Sequence, residues 1–111
     1  MKLNKSAAGD TVGFQFQQGF TTHAEFGLVG DNDFSFKVSD GTSFFTSFKL
    51  DKDDGRLLME QPLKLKAYDK NSLPTGSAGE VIWVFNDADG AQAAYHDGGG
   101  WKRIKDGTAV G

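Results

Sequence analysis

Polar and apolar residues alternate most regularly between residues 20 and 50. One phase of this alternation holds Ala24, Phe26 and Leu28, then Phe34, Phe36 and Val38, then Phe44, Thr46, Phe48 and Leu50. Successive side chains of a strand point to opposite faces, so each of the three segments has an apolar and a polar side. Turn-forming residues separate the segments at 30–33 (GDND) and at 39–41 (SDG). The pattern predicts a three-strand antiparallel meander whose aromatic face requires cover.

Further strands are predicted on both sides of the meander. Residues 12–16 alternate before it, and residues 57–59 form an apolar run after the Asp-Gly turn at 54–55. The 15 glycines are about twice the average usage, and helical periodicity is poor throughout the first half of the chain. The predicted fold class is therefore all-β, built from antiparallel meander or small β-sandwich modules, and the first module spans residues 1–62.

The second module, residues 63–111, is predicted to be a small sheet of three to four strands. Alternation at 63–67 indicates a strand, and the composition of 71–79 (NSLPTGSAG) is typical of a linker. The later segments are expected to be strands at 80–85, 91–96 and 101–104, with a frayed end at 105–111. The run EVIWVF is apolar in both phases, which predicts a buried central strand with Trp83 in the core.

Charge and composition exclude several classes of function. Twelve Lys and Arg residues are interspersed with 15 Asp and Glu, and the net charge is −3, so no basic patch for nucleic acid is expected. The absence of cysteine excludes disulfides and thiolate chemistry. The first residues lack the apolar region of a signal peptide, and the longest apolar run, 81–85, is too short to insert into a membrane. We expect synthesis in the cytoplasm without a signal peptide.

No residue pattern predicts a catalytic site, a metal site or a cofactor. The acidic turns at 31–33, 51–55 and 87–89 are typical of side chains that bond to their own backbone and stabilise turns; a loosely bound structural cation is the alternative. His23 and His96 are the only histidines and lie far apart, and no serine stands in a Gly-x-Ser-x-Gly motif. The chain is expected not to be an enzyme.

Aromatic residues supply the candidate binding positions. Tyr95, His96, Asp97 and Trp101 flank a triple-glycine turn, and an aromatic platform beside polar groups suits a sugar ring. The alternative is that Tyr95 and Trp101 are cross-strand neighbours that pack the small sheet. Six further aromatic residues are expected to form a core or an interface between subunits: Phe14, Phe16, Phe26, Phe34, Phe36 and Phe48.

Several stretches of the chain resemble the C-terminal β modules of tail, fibre and spike proteins from phages, prophages and gene transfer agents of alphaproteobacteria. In the first module these stretches are 4–11 (NKSAAGDT), 17–28 (QQGFTTHAEFGL), 30–39 (GDNDFSFKVS) and 48–57 (FKLDKDDGRL). In the second module they are 73–84 (LPTGSAGEVIWV), 95–98 (YHDG) and 101–104 (WKRI). The resemblance implies a virion structural protein, packed as a homotrimer, that reaches the host surface and binds glycans. It assigns a binding role to no individual residue.

The leading hypothesis is a non-enzymatic fibre or spike component, on the head or tail of a phage-like particle, that adheres to host surface polysaccharide. Its expected partners are copies of itself, a base protein of the particle and the polysaccharide. Trimerisation would cover the aromatic face, and three weak sugar sites held together would gain avidity. Two alternatives stay open: a purely structural connector of the particle and a small polysaccharide depolymerase.

Overall fold

The computed structural model describes residues 1–111 and contains nine β-strands joined by turns and irregular segments. The strands are β1 (Thr11–Gln18), β2 (Thr21–Val29), β3 (Phe34–Ser39), β4 (Phe44–Leu50), β5 (Leu57–Met59), β6 (Ala67–Tyr68), β7 (Val81–Val84), β8 (Gln92–His96) and β9 (Trp101–Arg103). The predicted all-β class is confirmed. No helix of a length and apolarity that could cross a membrane is present.

The chain divides into two compact units, Met1–Leu63 and Lys64–Gly111, which are called unit 1 and unit 2 below. This division lies one residue beyond the boundary expected from the sequence. Unit 1 is a single five-stranded sheet in the order β1-β2-β3-β4-β5, and every neighbouring pair is antiparallel. The predicted meander and the strands on both sides of it are therefore confirmed.

Short turns set the order of strands in unit 1. Gly19 and Phe20 connect β1 to β2, and both have a positive φ, of 57° and 64°. A two-residue hairpin loop with positive φ at both positions matches the right-handed twist of its strands. The turn between β3 and β4 is stabilised by a carboxylate. Asp40 Oδ1 accepts backbone hydrogen bonds from Thr42 and Ser43, at 2.9 and 2.8 Å.

A bulge in β4 changes which phenylalanine joins the aromatic face. Phe36 pairs with Phe48, whereas Lys37 pairs with Thr46, so one extra residue stands in β4 between these pairs. A bulge of this kind shifts the phase of alternation by one residue. As a result Phe45, not Phe44, lies opposite Val38 on the apolar side. The expected placement of Phe44 and Thr46 with Phe48 was wrong for this reason.

The two faces of the unit 1 sheet differ sharply in chemistry. One of them, called the Phe face below, carries Phe14, Phe16, Phe26, Phe34, Phe36 and Phe48. No second layer of unit 1 lies over this face, and the buried residues of the unit, such as Glu25 and Ser35, belong to the other face. There Ser35 pairs with Gly27 and Lys49, and Gln15 Nε2 donates to Glu25 Oε2 at 2.7 Å. Unit 1 thus has no apolar core of its own.

Unit 2 is a four-stranded sheet in the order β6-β7-β8-β9. The first pair is parallel and the other two are antiparallel. Of the strand expected at 63–67, only Ala67 lies in a strand, because β6 consists of Ala67 and Tyr68. Burial alternates along β7, so Ile82 and Val84 face the core, and Trp83 points outward with 38% of its surface exposed. The prediction that Trp83 lies in the core was wrong.

The core of unit 2 is small and is covered by irregular segments. It consists of Ile82, Val84, Ala94 and Trp101, with Tyr68, Leu73 and Val110 packed against it. The segment 71–79 is therefore part of the fold and not a linker. The last residues are also ordered by contacts rather than frayed, since the backbone N–H of Val110 donates to the carbonyl of Trp101 at 3.2 Å and Lys102 bridges to Ala109.

Candidate functional site

The Phe face is a continuous cluster of aromatic rings. Phe36 and Phe48 stack with their centroids 4.4 Å apart and their planes at 18°. Phe26 stands at the centre and has its ring centroid 5.6 Å from those of both Phe14 and Phe16. Such separations are within the range that favours aromatic pairs. The structure thus brings all six of the phenylalanines expected at a core or interface onto one surface.

This surface is apolar across the whole sheet and open to solvent. One row of register partners runs through all five strands and consists of Phe14, Phe26, Phe36, Phe48 and Met59. Phe14 retains 45% exposure and Phe16 53%. Strand spacing and residue rise give a face of roughly 500 Å². Contiguous exposed apolar patches of several hundred Å² mark interaction sites in soluble proteins.

The four residues expected to bind a sugar lie at the β8–β9 turn of unit 2 but do not share one surface. Register pairs His96 with Trp101 and Tyr95 with Lys102. Paired residues share a face and adjacent residues alternate, so Tyr95 projects to the side opposite Trp101. The two aromatic rings therefore form neither a common platform nor the cross-strand pair that was the alternative.

Trp101 is a core residue in this arrangement. Only 9% of its surface is exposed, and its Nε1–H donates to the carbonyl of Pro74 at 2.8 Å. The His96 ring meets it edge to face, with the centroids 5.0 Å apart and the planes at 87°. A sugar ring stacks on an exposed aromatic face, and this indole has none to offer.

The polar members of the group shape the turn. His96 Nδ1 accepts a hydrogen bond from the Gly98 N–H at 3.0 Å. Asp97 Oδ1 accepts from the N–H groups of Gly99 and Gly100, at 2.8 and 2.9 Å. These backbone donors hold the pKa of Asp97 below its ordinary value, because they stabilise the ionised carboxylate. His96 Nδ1 and Asp97 Oδ1 thus accept hydrogen bonds from the protein's own backbone.

Other acidic turns follow the expected pattern. Asp31 Oδ1 accepts from the backbone N–H of Asp33 at 3.0 Å, and Asp51 Oδ1 from that of Asp53 at 2.7 Å. The interpretation that these aspartates stabilise their own turns is confirmed. No group of three or more His, Asp or Glu side chains comes together as metal ligands.

Three features escaped the sequence patterns. Trp83 faces outward between Ala67 and Ala93, its register partners on the two neighbouring strands. Phe20 is an almost fully exposed aromatic residue in a hairpin turn. Asp87, expected only in a turn, is buried and bonded to Arg103. The Phe20 feature had a sequence signal, since an aromatic residue beside glycine between two alternating strands is unusual in a tight turn.

No family model, no curated protein and no solved structure matches the chain significantly. The resemblance to phage fibre and spike modules therefore stays a prediction, and it is based on residue patterns alone.

Proposed function

We propose that the chain is a non-enzymatic structural module that assembles with identical copies of itself through the Phe face. In line with the resemblance, the assembly is a homotrimeric fibre or spike component of a phage-like particle, attached to a base protein and displayed on the particle surface. The observation that carries the proposal is the Phe face itself, an aromatic surface spanning five strands with no covering layer in its own unit.

A sheet that is apolar on one side requires a second layer to be stable. Domains meet this requirement by packing two layers of secondary structure around one core. Unit 1 has a single layer, and its buried side chains lie on the polar face. Burial of apolar surface contributes about 25 cal/mol per Å², so cover over roughly 500 Å² is a large term for a unit of this size. Association supplies the missing layer.

Identical copies suit this surface as partners. The central row contains no charged side chain, so two copies of the face meet without desolvating an unpaired charge. Symmetric homo-oligomers are also the commonest assemblies of soluble proteins.

The oligomeric mass of the purified chain in solution tests the proposal. Light scattering coupled to size exclusion, measured over a dilution series, is expected to give a trimer that dissociates on dilution. A monomer with a cooperative melting transition at all concentrations would remove self-assembly as the function. A stable dimer would retain the interface and correct its symmetry.

Adhesion to host polysaccharide is the second candidate function, and Trp83 favours it. This side chain lies on the outer face of unit 2, flanked by the small residues Ala67 and Ala93, with Tyr95 on the same face through its partner Val81. Small flanking residues leave the indole open for stacking. Glycan-array binding that is lost in Trp83→Ala and kept in Phe85→Ala, which deletes another exposed aromatic ring of unit 2, would support adhesion. Absence of binding by the assembled wild type would leave a structural connector.

A further inference from the structure

Phe20 combines two unfavourable features in one residue. Its side chain is 95% exposed, and its backbone φ is +64°, in the left-handed region. A residue with a Cβ atom loses free energy in that region, whereas glycine and asparagine tolerate it. Water contact of the whole phenyl ring adds a second cost. The two-residue turn needs the positive φ, but glycine or asparagine would adopt it at a lower cost, so the phenyl ring contributes nothing to the stability of an isolated unit 1.

Such a combination points to a contact outside the unit. Residues held in sparsely populated backbone regions are concentrated at binding and switching sites, where the conformation presents a side chain. The β1–β2 hairpin holds Phe20 at its end, beyond the last register pair, Gln18 with Thr21. The ring is thus presented at one extremity of the sheet.

A complementary hollow lies at the opposite extremity. It has a volume of about 260 Å³ and is lined by Leu3, Val12, Gly13, Phe14, Phe26, Gly27, Leu28 and Phe34. No lining residue carries a charge. Cavities of about 150 Å³ in protein cores bind benzene, so this hollow has room for a phenyl ring.

The two features cannot meet within one copy. Val12 pairs with Leu28 at the hollow, while Gln18 pairs with Thr21 at the hairpin turn. At the rise of an extended strand these pairs are about 20 Å apart. The Phe20 ring of one copy can therefore fill the hollow of another copy only.

We propose that copies of the chain contact each other end to end, with Phe20 of one copy inserted in the hollow between Leu3 and Phe34 of the next. This proposal rests on the proposed self-assembly, because the hollow is one end of the Phe face. The two surfaces in the contact are different, so it is heterologous and extends the assembly along the strand direction or closes it as a ring.

The variant Phe20→Asn tests the contact, because asparagine removes the ring and accepts the backbone conformation. Sedimentation velocity is expected to show loss of the larger species, with the end-to-end dissociation constant raised at least about tenfold, together with a melting temperature that is equal or higher. A role of Phe20 confined to folding would instead lower the melting temperature together with the fraction of larger species. Phe85→Asn, which deletes an exposed ring from unit 2, serves as the matched control and is expected to leave assembly unchanged.

Cross-linking identifies the occupant of the hollow. The chain has no cysteine, so single cysteines can be placed freely. Two variants, Thr21→Cys beside Phe20 and Asn4→Cys beside the hollow, are mixed and treated with a short bismaleimide. We expect a mixed dimer and its loss when Thr21→Cys also carries Phe20→Asn. No mixed dimer is expected when Asp54→Cys replaces Thr21→Cys, because Asp54 lies in the β4–β5 turn at the other end of the sheet from Phe20.

The outcomes separate this proposal from the proposed function. Wild-type assembly that is unchanged in Phe20→Asn, with no mixed cross-link, would overturn the end-to-end contact and leave the Phe face as the interface. A wild type that is monomeric throughout would remove the proposed function, and a mixed cross-link in that sample would still identify the contact. A monomeric wild type that gives no mixed cross-link would overturn the proposed function and the end-to-end contact together.

Discussion

The guanidinium of Arg103 holds the buried carboxylate of Asp87 with two hydrogen bonds. Nε donates to Oδ2 and Nη2 to Oδ1, both at 2.6 Å. Bidentate pairs of this kind are stronger and more specific than single hydrogen bonds. Asp87 follows β7 and Arg103 belongs to β9, so the pair ties together strands that are not neighbours in the sheet. Arg103 Nη1 also donates to Thr108 Oγ1 at 3.1 Å, which anchors the last residues of the chain.

We predict that breaking this pair loosens the end of the chain and lowers the melting temperature of unit 2 by several degrees. Arg103→Met leaves the Asp87 carboxylate buried without its partner, the costly half of a broken ion pair. Hydrogen exchange should then accelerate at the amide of Val110. Arg56→Met is the control, because that arginine is exposed and 3.6 Å from Asp54. Equal effects of the two substitutions would contradict the structural role of the pair.

The same pair predicts an acid-sensitive stability of unit 2. The hydrogen bonds from Arg103 hold the pKa of Asp87 well below its ordinary range. A carboxylate with a lowered folded-state pKa stabilises the fold fully above its unfolded value of about 3.9 and loses that contribution as the pH falls toward the folded value. Melting temperature should therefore stay level from about pH 7 to about pH 5 and decline below about pH 4.

Other aspartates with a lowered pKa, such as Asp69 and Asp97, contribute to the same acid decline. The test is therefore a difference between variants. Asp87→Asn cannot be ionised, so its melting temperature should start lower and fall less steeply below about pH 4 than that of the wild type. Parallel curves would show that Asp87 is not a source of the pH dependence.

The strands of unit 1 follow from local sequence, which is why the pattern predicted them. Alternation sets the two faces of a strand, and Asp- and Gly-rich turns at 30–33 and 39–41 set where the strands end. The pattern failed at Phe44 and Phe45 because a bulge adds one residue to β4. Strict alternation of polar and apolar residues cannot predict where a bulge is inserted.

Unit 2 was predicted less well because its order comes from distant contacts. The segment 71–79 has linker composition, yet the carbonyl of Pro74 accepts from Trp101, 27 residues away. Trp83 was misplaced because EVIWVF is apolar in both phases, so periodicity could not choose the buried one. Trp83 faces outward because the irregular segments of unit 2 cover the opposite side of the sheet, where Ile82 and Val84 lie.

We predict that a charge on the Phe face prevents self-assembly while the same charge on the other face does not. Phe16 and Phe44 are equally accessible, with exposures of 53% and 52%, but they project to opposite faces of the unit 1 sheet. Phe16→Asp should weaken association at least about a hundredfold, or about 2.8 kcal/mol, because a carboxylate would be desolvated in the interface. Phe44→Asp is expected to keep the wild-type mass in light scattering. A Phe16→Asp variant that kept the wild-type mass would show that the Phe face is not the interface.

Close packing of the segment 71–79 over the unit 2 core gives a last prediction. A Cβ atom at Gly76 would lie 2.6 Å from His96 Cδ2 and 2.6 Å from Trp101 Cζ2. Both atoms belong to rings in the packed interior, so Gly76→Ala should cost about 1–3 kcal/mol and lower the melting temperature by about 4–8 °C per kcal/mol. Gly100→Ala is the matched control, since a Cβ there meets no heavy atom within 4 Å. A neutral Gly76→Ala would show that the segment does not pack on Trp101 in solution.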